Sequence, residues 1–167
     1  MVLTTSELIA QLQNEVRILQ HLAGKLDPVH LDYRPTPKQR SAFELLKYLT
    51  MMGPALVQAA KSGTFDGDAW AAAEQKAAAM TFDQTMATLA AQAEGYAAML
   101  ADVDDADMRA EVAPFGYPTT RGAFLVQWVL CGCAAYRTQL FLYLKACGRD
   151  ELGTANLWRG MDAPVKA

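Results

Sequence analysis

Three short segments of this chain each place a hydroxyl residue three positions before a Glu or a Gln, directly ahead of an apolar run. The pairs are Thr4 with Glu7, Ser41 with Glu44, and Thr81 with Gln84. In this arrangement, a capping box, each side chain bonds the other residue's backbone N–H at the first turn of a helix. With helix starts spread along its first half, the chain is predicted to be all-α.

Apolar residues follow each box at spacings of three and four, which places them on one helix face. The first helix carries Leu8, Leu12, Val16, Leu19 and Leu22. Gly24 is predicted to end it, and a last long helix is predicted from Thr119 or Thr120 to Gly148. Four long helices are typical of an antiparallel bundle, here a single domain over residues 1–167.

Smaller features interrupt this pattern. Pro54 lies inside the second helix, where it removes a backbone donor, so the helix is predicted to kink or to restart near Leu56. Asp68 is predicted to cap a short Ala-rich accessory helix. The tail after residue 148 is predicted to be mostly irregular, with Trp158 anchoring it on the bundle.

The composition excludes several classes of function. The chain has 167 residues, a net charge of −3 and 52% hydrophobic residues, and its positive charges are not clustered as nucleic-acid binding would require. Its longest apolar run, residues 122–136, is shorter than the roughly 20 residues of a membrane helix. The first residues lack a secretion-signal pattern. We therefore expect a cytoplasmic protein with free thiols and no nucleic-acid or membrane partner.

The cysteines and histidines are not spaced as metal ligands. Cys131 and Cys133 lie about 200° apart on a helix, so they are predicted to be small buried packing residues. Cys147, near a helix end, is the better candidate for a modifiable thiol. The chain has two histidines, His21 and His30, which are too few for a three-histidine zinc site.

One stripe of the last helix combines aromatic residues with a glycine. Its members are Leu125, Trp128, Gly132, Tyr136, Gln139 and Tyr143. Gly132 leaves a notch between Trp128 and Tyr136, and either a facing helix or a ligand would fill it. Because aromatic stripes usually belong to a core, the packing interpretation is favoured.

Two segments resemble a known family. "LDYRPTPKQRSAFELLKYL", residues 31–49, resembles the front of DinB-like proteins, where an aromatic-Arg-Pro segment leads into a Ser-capped helix. "AYRTQLFLYLKACG", residues 135–148, resembles the fourth helix of that family, in which a His-x-x-x-His-Arg-x-Gln-Leu pattern is common. This is the damage-inducible helical bundle group, related to the bacterial thiol-transferase bundles.

The resemblance implies an up-down-down-up four-helix bundle, often a homodimer. It also implies a nickel or zinc site with one histidine on the second helix and two on the fourth. By position these ligands fall on Tyr48, Gly132 and Tyr136, none of which is a histidine. Glycine offers no side-chain ligand, and a neutral tyrosine is a poor one. We therefore predict no metal, no cofactor and no catalytic residue at this place.

Three functions are compatible with these observations. The first is a metal-free, non-catalytic homodimer that binds a small molecule or a protein partner in a stress response, with the ligand pocket lined by Tyr48, Met52, Trp128, Gly132 and Tyr136. The second is a metal-dependent transferase or hydrolase with atypical ligands such as Glu44 and Tyr48. The third is a scaffold that acts through its dimer surface.

Overall fold

The structure is a computed structural model, and it describes residues 3–163 of the chain. The long helices are α1 (Thr5–Ala23), α2 (Ala42–Ser62), α4 (Phe82–Met99) and α6 (Cys131–Ala146). The shorter elements are 3₁₀ turns at Pro28–His30 and Asp107–Arg109, α3 (Gly67–Ala78), β1 (Glu111–Val112), β2 (Thr119–Thr120), α5 (Arg121–Phe124), a π-helical segment (Leu125–Leu130) and α7 (Thr154–Arg159). The all-α prediction is confirmed.

The three capping boxes form as predicted. At α2, the Ser41 N–H donates to Glu44 Oε2 at 2.7 Å, and the Glu44 N–H donates to Ser41 Oγ at 3.2 Å. Gly24 follows the end of α1 as predicted, and Thr120 caps α5. These bonds satisfy donors that the first turn of a helix leaves unpaired, so the local sequence sets where each helix begins.

Hydrogen bonds between helices show that α1 and α4 are antiparallel, whereas α2 and α4 are parallel. Gln13 in α1 donates to the Ala93 carbonyl in the middle of α4 at 3.0 Å, and the Thr5 N–H donates to Asp105, beyond the end of α4, at 2.8 Å. The start of α1 therefore lies at the end of α4. By contrast, Lys61 in the last turn of α2 donates to the Met99 carbonyl at the end of α4.

The last long helix runs antiparallel to α2. The Tyr143 hydroxyl donates to the Arg40 carbonyl, which precedes α2, at 3.1 Å, and Arg121 donates to the Ala60 carbonyl near the end of α2 at 3.2 Å. The order of directions along the chain is therefore up-down-down-up. Since α2 and α4 are parallel, the chain must return between them, and α3 makes this return while packing on α2.

Helix α2 continues through Pro54 without a break, so the predicted restart near Leu56 is wrong. Pro54 has no N–H to donate to the Thr50 carbonyl four residues earlier. The buried amide of Gln92 in α4 donates to that carbonyl instead, at 2.8 Å. A long-range side chain thus replaces the missing backbone donor.

Three further predictions need correction. The N-cap of α3 is Asp66, whose side chain accepts the Ala69 N–H at 2.9 Å, and not Asp68. The predicted last helix is interrupted by the π-helical segment, which the Cys131 N–H closes by donating to the Val126 carbonyl. Its α-helical part ends at Ala146, two residues before the predicted end.

The tail is more ordered than predicted because it contains α7. Trp158 is not its buried anchor, since 64% of its surface is exposed. The buried residues of this segment are Leu152 and Asn156. Arg137 of α6 holds the tail by donating to the Leu157 carbonyl.

The core lies between α1, α2, α4 and the last long helix. Its fully buried large side chains include Leu8, Leu12, Leu22, Leu45, Leu46, Met52, Leu89, Tyr96, Phe124 and Leu125. The stripe predicted for α1 is buried throughout. Across residues 3–163, none of the helices combines the length and hydropathy that a membrane span requires.

Candidate functional site

Helices α2 and α6 bring Tyr48 and Tyr136 into contact. Their ring centroids are 5.2 Å apart and the ring planes meet at 71°, the edge-to-face arrangement that aromatic pairs favour. Tyr48 is about two turns from the end of α2 at which Tyr143 binds the Arg40 carbonyl. Two of the predicted pocket residues therefore meet at the α2–α6 interface.

Met52 fills the space opposite Gly132. A Cβ atom placed on Gly132 would lie 3.4 Å from Met52 Cε and 3.5 Å from Met52 Sδ. Only 2% of Met52 is exposed. The notch that the sequence predicts at Gly132 is thus packed by the facing helix, next to the tyrosine pair.

Trp128 lies at a different part of the surface. It belongs to the π-helical segment, it is 44% exposed, and its ring packs edge-on against Phe115 at 5.0 Å between centroids. The widened π-helical turn changes the register between Trp128 and the α-helical residues that follow. Trp128 therefore faces Phe115, which comes from the loop between β1 and β2.

Sequence reasoning missed three aromatic residues that link Trp128 to the tyrosine pair. Trp70 packs against Tyr48 at 6.1 Å and against Phe65 at 5.4 Å, and Phe65 packs against Phe115 at 5.3 Å. They come from α3 and from loops, where no helical periodicity joins them to the α6 stripe. Their association arises only from tertiary packing.

A small cavity of about 220 Å³ adjoins Tyr48 between α2 and α3, and none of its lining residues belongs to α6. The lining residues are Arg40, Glu44, Lys47, Tyr48, Met51, Glu74, Ala77 and Ala78. The Arg40 guanidinium lies 3.9 Å from the centroid of the Tyr48 ring, a cation–π contact. The cavity thus has an aromatic and aliphatic base with charged groups around it.

Burial raises the pKa of Tyr48 well above its usual value, and the Tyr136 phenol alongside adds to the effect. Burial disfavours the phenolate because the charged form loses its hydration. Tyr48 is therefore a neutral phenol at physiological pH. A neutral phenol donates and accepts hydrogen bonds, but it binds nickel or zinc poorly.

The residues at this place do not fit the metal site that the resemblance implies. Gly132 contributes no donor, Met52 occupies the space beside it, and Tyr48 is held neutral. Among residues 3–163, no group of three His, Cys, Asp or Glu side chains is arranged to hold a metal ion. His21 lies in the last turn of α1, where its Nε2 is 3.0 Å from the amide nitrogen of Asn156.

Glu44 is also committed to a structural role. Its carboxylate accepts the Ser41 N–H and pairs with Arg34 at 3.2 Å. The Ser41 backbone N–H, ahead of the Arg34 contact, lowers the pKa of this carboxyl. This geometry leaves Glu44 at the helix start, bonded within its capping box.

The cysteines separate into two environments. Cys131 is exposed, so the prediction that it is buried is wrong. The Cys133 sulfur lies 4.0 Å from the Tyr96 hydroxyl, and burial raises the pKa of its thiol to about 12. Burial also raises the pKa of Cys147, so Cys131 replaces it as the better candidate for a modifiable thiol.

Together, the directions of the helices and the α2–α6 contact define an up-down-down-up helical bundle with a tyrosine pair at two of the positions where the resemblance implies metal ligands. No protein-family model and no curated protein matches the sequence. Solved structures do match, and two of them are DinB-like proteins. One, from Bacillus subtilis, has a TM-score of 0.67 and 22% identity over 87% of this chain and 94% of its own. The other, from Bacillus cereus, has a TM-score of 0.70 and 15% identity over 89% of this chain and 95% of its own.

The chain therefore has the fold of DinB-like proteins, as its two motif segments predict. At 15% and 22% identity this likeness concerns the fold, and the chemistry has to be argued from the site.

Proposed function

We propose that this chain is a metal-independent, non-catalytic member of the DinB-like proteins that binds a small amphipathic molecule beside the Tyr48–Tyr136 pair. The observation that carries the proposal is the contact of these two phenols, 5.2 Å apart, where the family resemblance implies metal ligands. A cytoplasmic homodimer with a role in a stress response is a further part of the proposal, and it derives from the resemblance alone.

The cavity beside Tyr48 supports the ligand-binding part. Its volume of about 220 Å³ suits a molecule the size of a single substituted ring. The Tyr48 ring, Met51 and the alanines of α3 offer an apolar surface, while Arg40 and Glu74 offer opposite charges at the edge. Small-molecule sites typically combine such an apolar base with a few polar groups.

Metal analysis tests the metal-independent part. The purified protein is incubated with nickel or zinc, desalted, and its metal content is measured; we expect far less than one ion per chain. A positive control carries Tyr48→His, Gly132→His and Tyr136→His together with Met52→Ala, which clears the space beside Gly132. Metal retention by the control alone supports the proposal, and stoichiometric metal in the unmodified protein contradicts it.

Thermal-shift measurements with small aromatic acids and amines test the ligand-binding part. A ligand that binds only the folded state raises the Tm by mass action. Ala78→Trp, at the exposed edge of the cavity, is expected to abolish the shift. The matched variant Ala87→Trp, at an exposed position of α4, is expected to retain it. The absence of any shift, or equal shifts in both variants, contradicts the proposal.

The alternative of a metal-dependent transferase or hydrolase depends on Glu44 and Tyr48 as ligands. Glu44 is bonded to Ser41 and Arg34, and Tyr48 is a buried neutral phenol. Neither group is presented as a metal ligand. The donor set therefore favours the non-catalytic proposal.

A further inference from the structure

A second and larger cavity lies beside Trp70, between α2, α3 and α4. Its volume is about 750 Å³, within the range of small-molecule sites. It lies where α3, which carries the chain back between two parallel helices, packs mainly on α2 along its buried Ala77 face. Three helices thus enclose a channel that is open to solvent on one side.

The channel is elongated. On α2 its lining extends from Thr50 to Ser62, which corresponds to about 18 Å at 1.5 Å per residue. On α3 the lining residues recur at three and four positions along one face. They are Asp66, Ala69, Trp70, Ala73 and Lys76. This shape suits a linear molecule better than a compact one.

Most of the wall is apolar and adaptable. Met51, Met80 and Met99 contribute flexible thioether side chains, and Pro54 and Trp70 contribute rigid surfaces. Methionine-lined surfaces adjust to ligands of irregular shape. An alkyl chain placed along α2 would remove this surface from water, and burial of each CH₂ group is favourable by about 0.8 kcal/mol.

The charge along the channel is uneven. Asp66 is its acidic lining residue, and its carboxylate is bonded to the Ala69 N–H as the cap of α3. Lys76 lies ten residues further along, at the other end of α3. Within residues 3–163 Lys76 takes part in no salt bridge, whereas Lys61 in the last turn of α2 is paired with Asp102. One end of an apolar channel therefore carries a positive charge available to an anion.

We propose that this channel binds a linear amphipathic carboxylate, with its alkyl chain along α2 between Trp70 and the methionines and its carboxylate at Lys76. The proposal does not depend on the tyrosine pair, since neither Tyr48 nor Tyr136 lines this channel. It would hold even if the ligand or metal part of the proposed function failed.

The experiment uses Trp70 as the reporter. The chain has three tryptophans, so Trp128→Phe with Trp158→Phe leaves Trp70 alone. Bromine-labelled dodecanoate, kept below its micelle concentration, is expected to quench Trp70 fluorescence with saturation. Unlabelled dodecanoate should compete with it, and dodecanol and dodecyltrimethylammonium should compete about two- to fivefold less well because they lack the anion.

Two variants and a matched control decide between outcomes. Lys76→Glu replaces attraction by repulsion and is expected to weaken binding by about fivefold or more, and Ala73→Phe is expected to abolish it by filling the channel. Lys38→Glu, with the same charge change in the exposed proline loop, should leave binding unchanged.

Quenching that does not saturate, or that is equal in Lys76→Glu and Lys38→Glu, would overturn the proposal. So would dodecanoate binding that is lost as the protein concentration rises, since a second copy of the chain would then occupy the channel. Ala78→Trp, which blocks the smaller cavity, should leave dodecanoate binding intact in a calorimetric titration, which does not depend on tryptophan emission, and so distinguishes this proposal from the proposed function.

Discussion

The hydroxyl of Tyr96 lies in the space that a side chain at Gly53 would take: a Cβ on Gly53 would be 1.9 Å from the Tyr96 oxygen and 3.0 Å from its Cζ. Tyr96 is 1% exposed and comes from α4, whereas Gly53 lies inside α2. Because Gly53 has no side chain, the buried phenol can approach the helix backbone closely. Glycine has a low helix propensity, so this contact lowers the stability of the helix itself. Next to it, the same phenol meets the Cys133 sulfur of α6.

We expect Gly53→Ala to destabilise the protein by about 1–3 kcal/mol, because the added methyl group overpacks this contact. The matched substitution Gly95→Ala, where nothing lies within 4 Å of the added Cβ, should stabilise it by roughly 1 kcal/mol through helix propensity. Urea unfolding of both variants measures the difference. If Gly53→Ala were as stable as Gly95→Ala, the close contact would not exist.

Gln92 is expected to stabilise α2 because it donates a hydrogen bond to the Thr50 carbonyl, which Pro54 leaves without a backbone donor. Gln92→Leu should cost about 1–3 kcal/mol, the range for leaving a buried acceptor unsatisfied. Pro54→Ala restores a backbone donor, so Gln92→Leu should cost less in that background. A double-mutant cycle by chemical denaturation measures this coupling. Equal costs in both backgrounds would contradict the compensation.

The ion pair of Arg137 with Glu15 joins α6 to α1 inside the protein. Arg137 Nε lies 2.6 Å from Glu15 Oε2, and the two side chains are 3% and 12% exposed. Removal of one partner of such a pair typically costs 3–5 kcal/mol, so Arg137→Met should lower the free energy of unfolding by about that amount. Glu15→Leu combined with Arg137→Met should recover part of the loss.

A matched control for this pair is Arg34→Met, which breaks the more exposed pair with Glu44. It should cost about 1 kcal/mol or less. Because Arg137 also holds the Leu157 carbonyl, hydrogen exchange in α7 should accelerate in Arg137→Met and stay unchanged in Arg34→Met. Similar losses of stability in the two variants would mean that the buried ion pair contributes no more to the free energy of unfolding than the exposed pair does.

Alkylation by iodoacetamide should distinguish the cysteines. At pH 8 we expect Cys131 to react first, since it is exposed, and Cys133 to react last, since burial raises the pKa of its thiol to about 12 and the thiolate is the reactive form. Peptide mass spectrometry over time measures the order. In urea, all three should react at similar rates; early labelling of Cys133 in the folded protein would contradict its burial.

His21 is expected to make stability depend on pH. Burial lowers the pKa of His21, and the opposing attraction of Asp162 is smaller. The folded state therefore favours the neutral imidazole, to which Asn156 donates a hydrogen bond. This contribution is present above the unfolded-state pKa of about 6.5 and is lost as the pH falls below it. Urea unfolding at pH 7.5 and 5.5 should show a smaller decrease in His21→Gln than in the unmodified protein.

Short-range sequence patterns predict much of this fold. The sequence alone predicts several helix ends, because each depends on residues at most a few positions apart. They are the capping boxes at Thr4, Ser41 and Thr81 and the glycine at the end of α1. The apolar stripe of α1 was readable because helix periodicity alone puts Leu8, Leu12 and Val16 on one face. The up-down-down-up order, by contrast, came from resemblance to a family, since periodicity does not specify how helices are ordered.

The sequence predicts only part of the candidate site. The sequence determined that no imidazole stands at positions 48, 132 and 136, because that is a matter of residue identity. Only the tertiary structure decided that Tyr48 touches Tyr136, that Met52 fills the space at Gly132, and that Trp128 packs on Phe115 instead. These contacts join side chains from separate elements, and their geometry depends on helix register and on a π-helical turn that no local spacing signals. Local bonds fix where helices begin, whereas burial across the whole bundle decides which side chains meet.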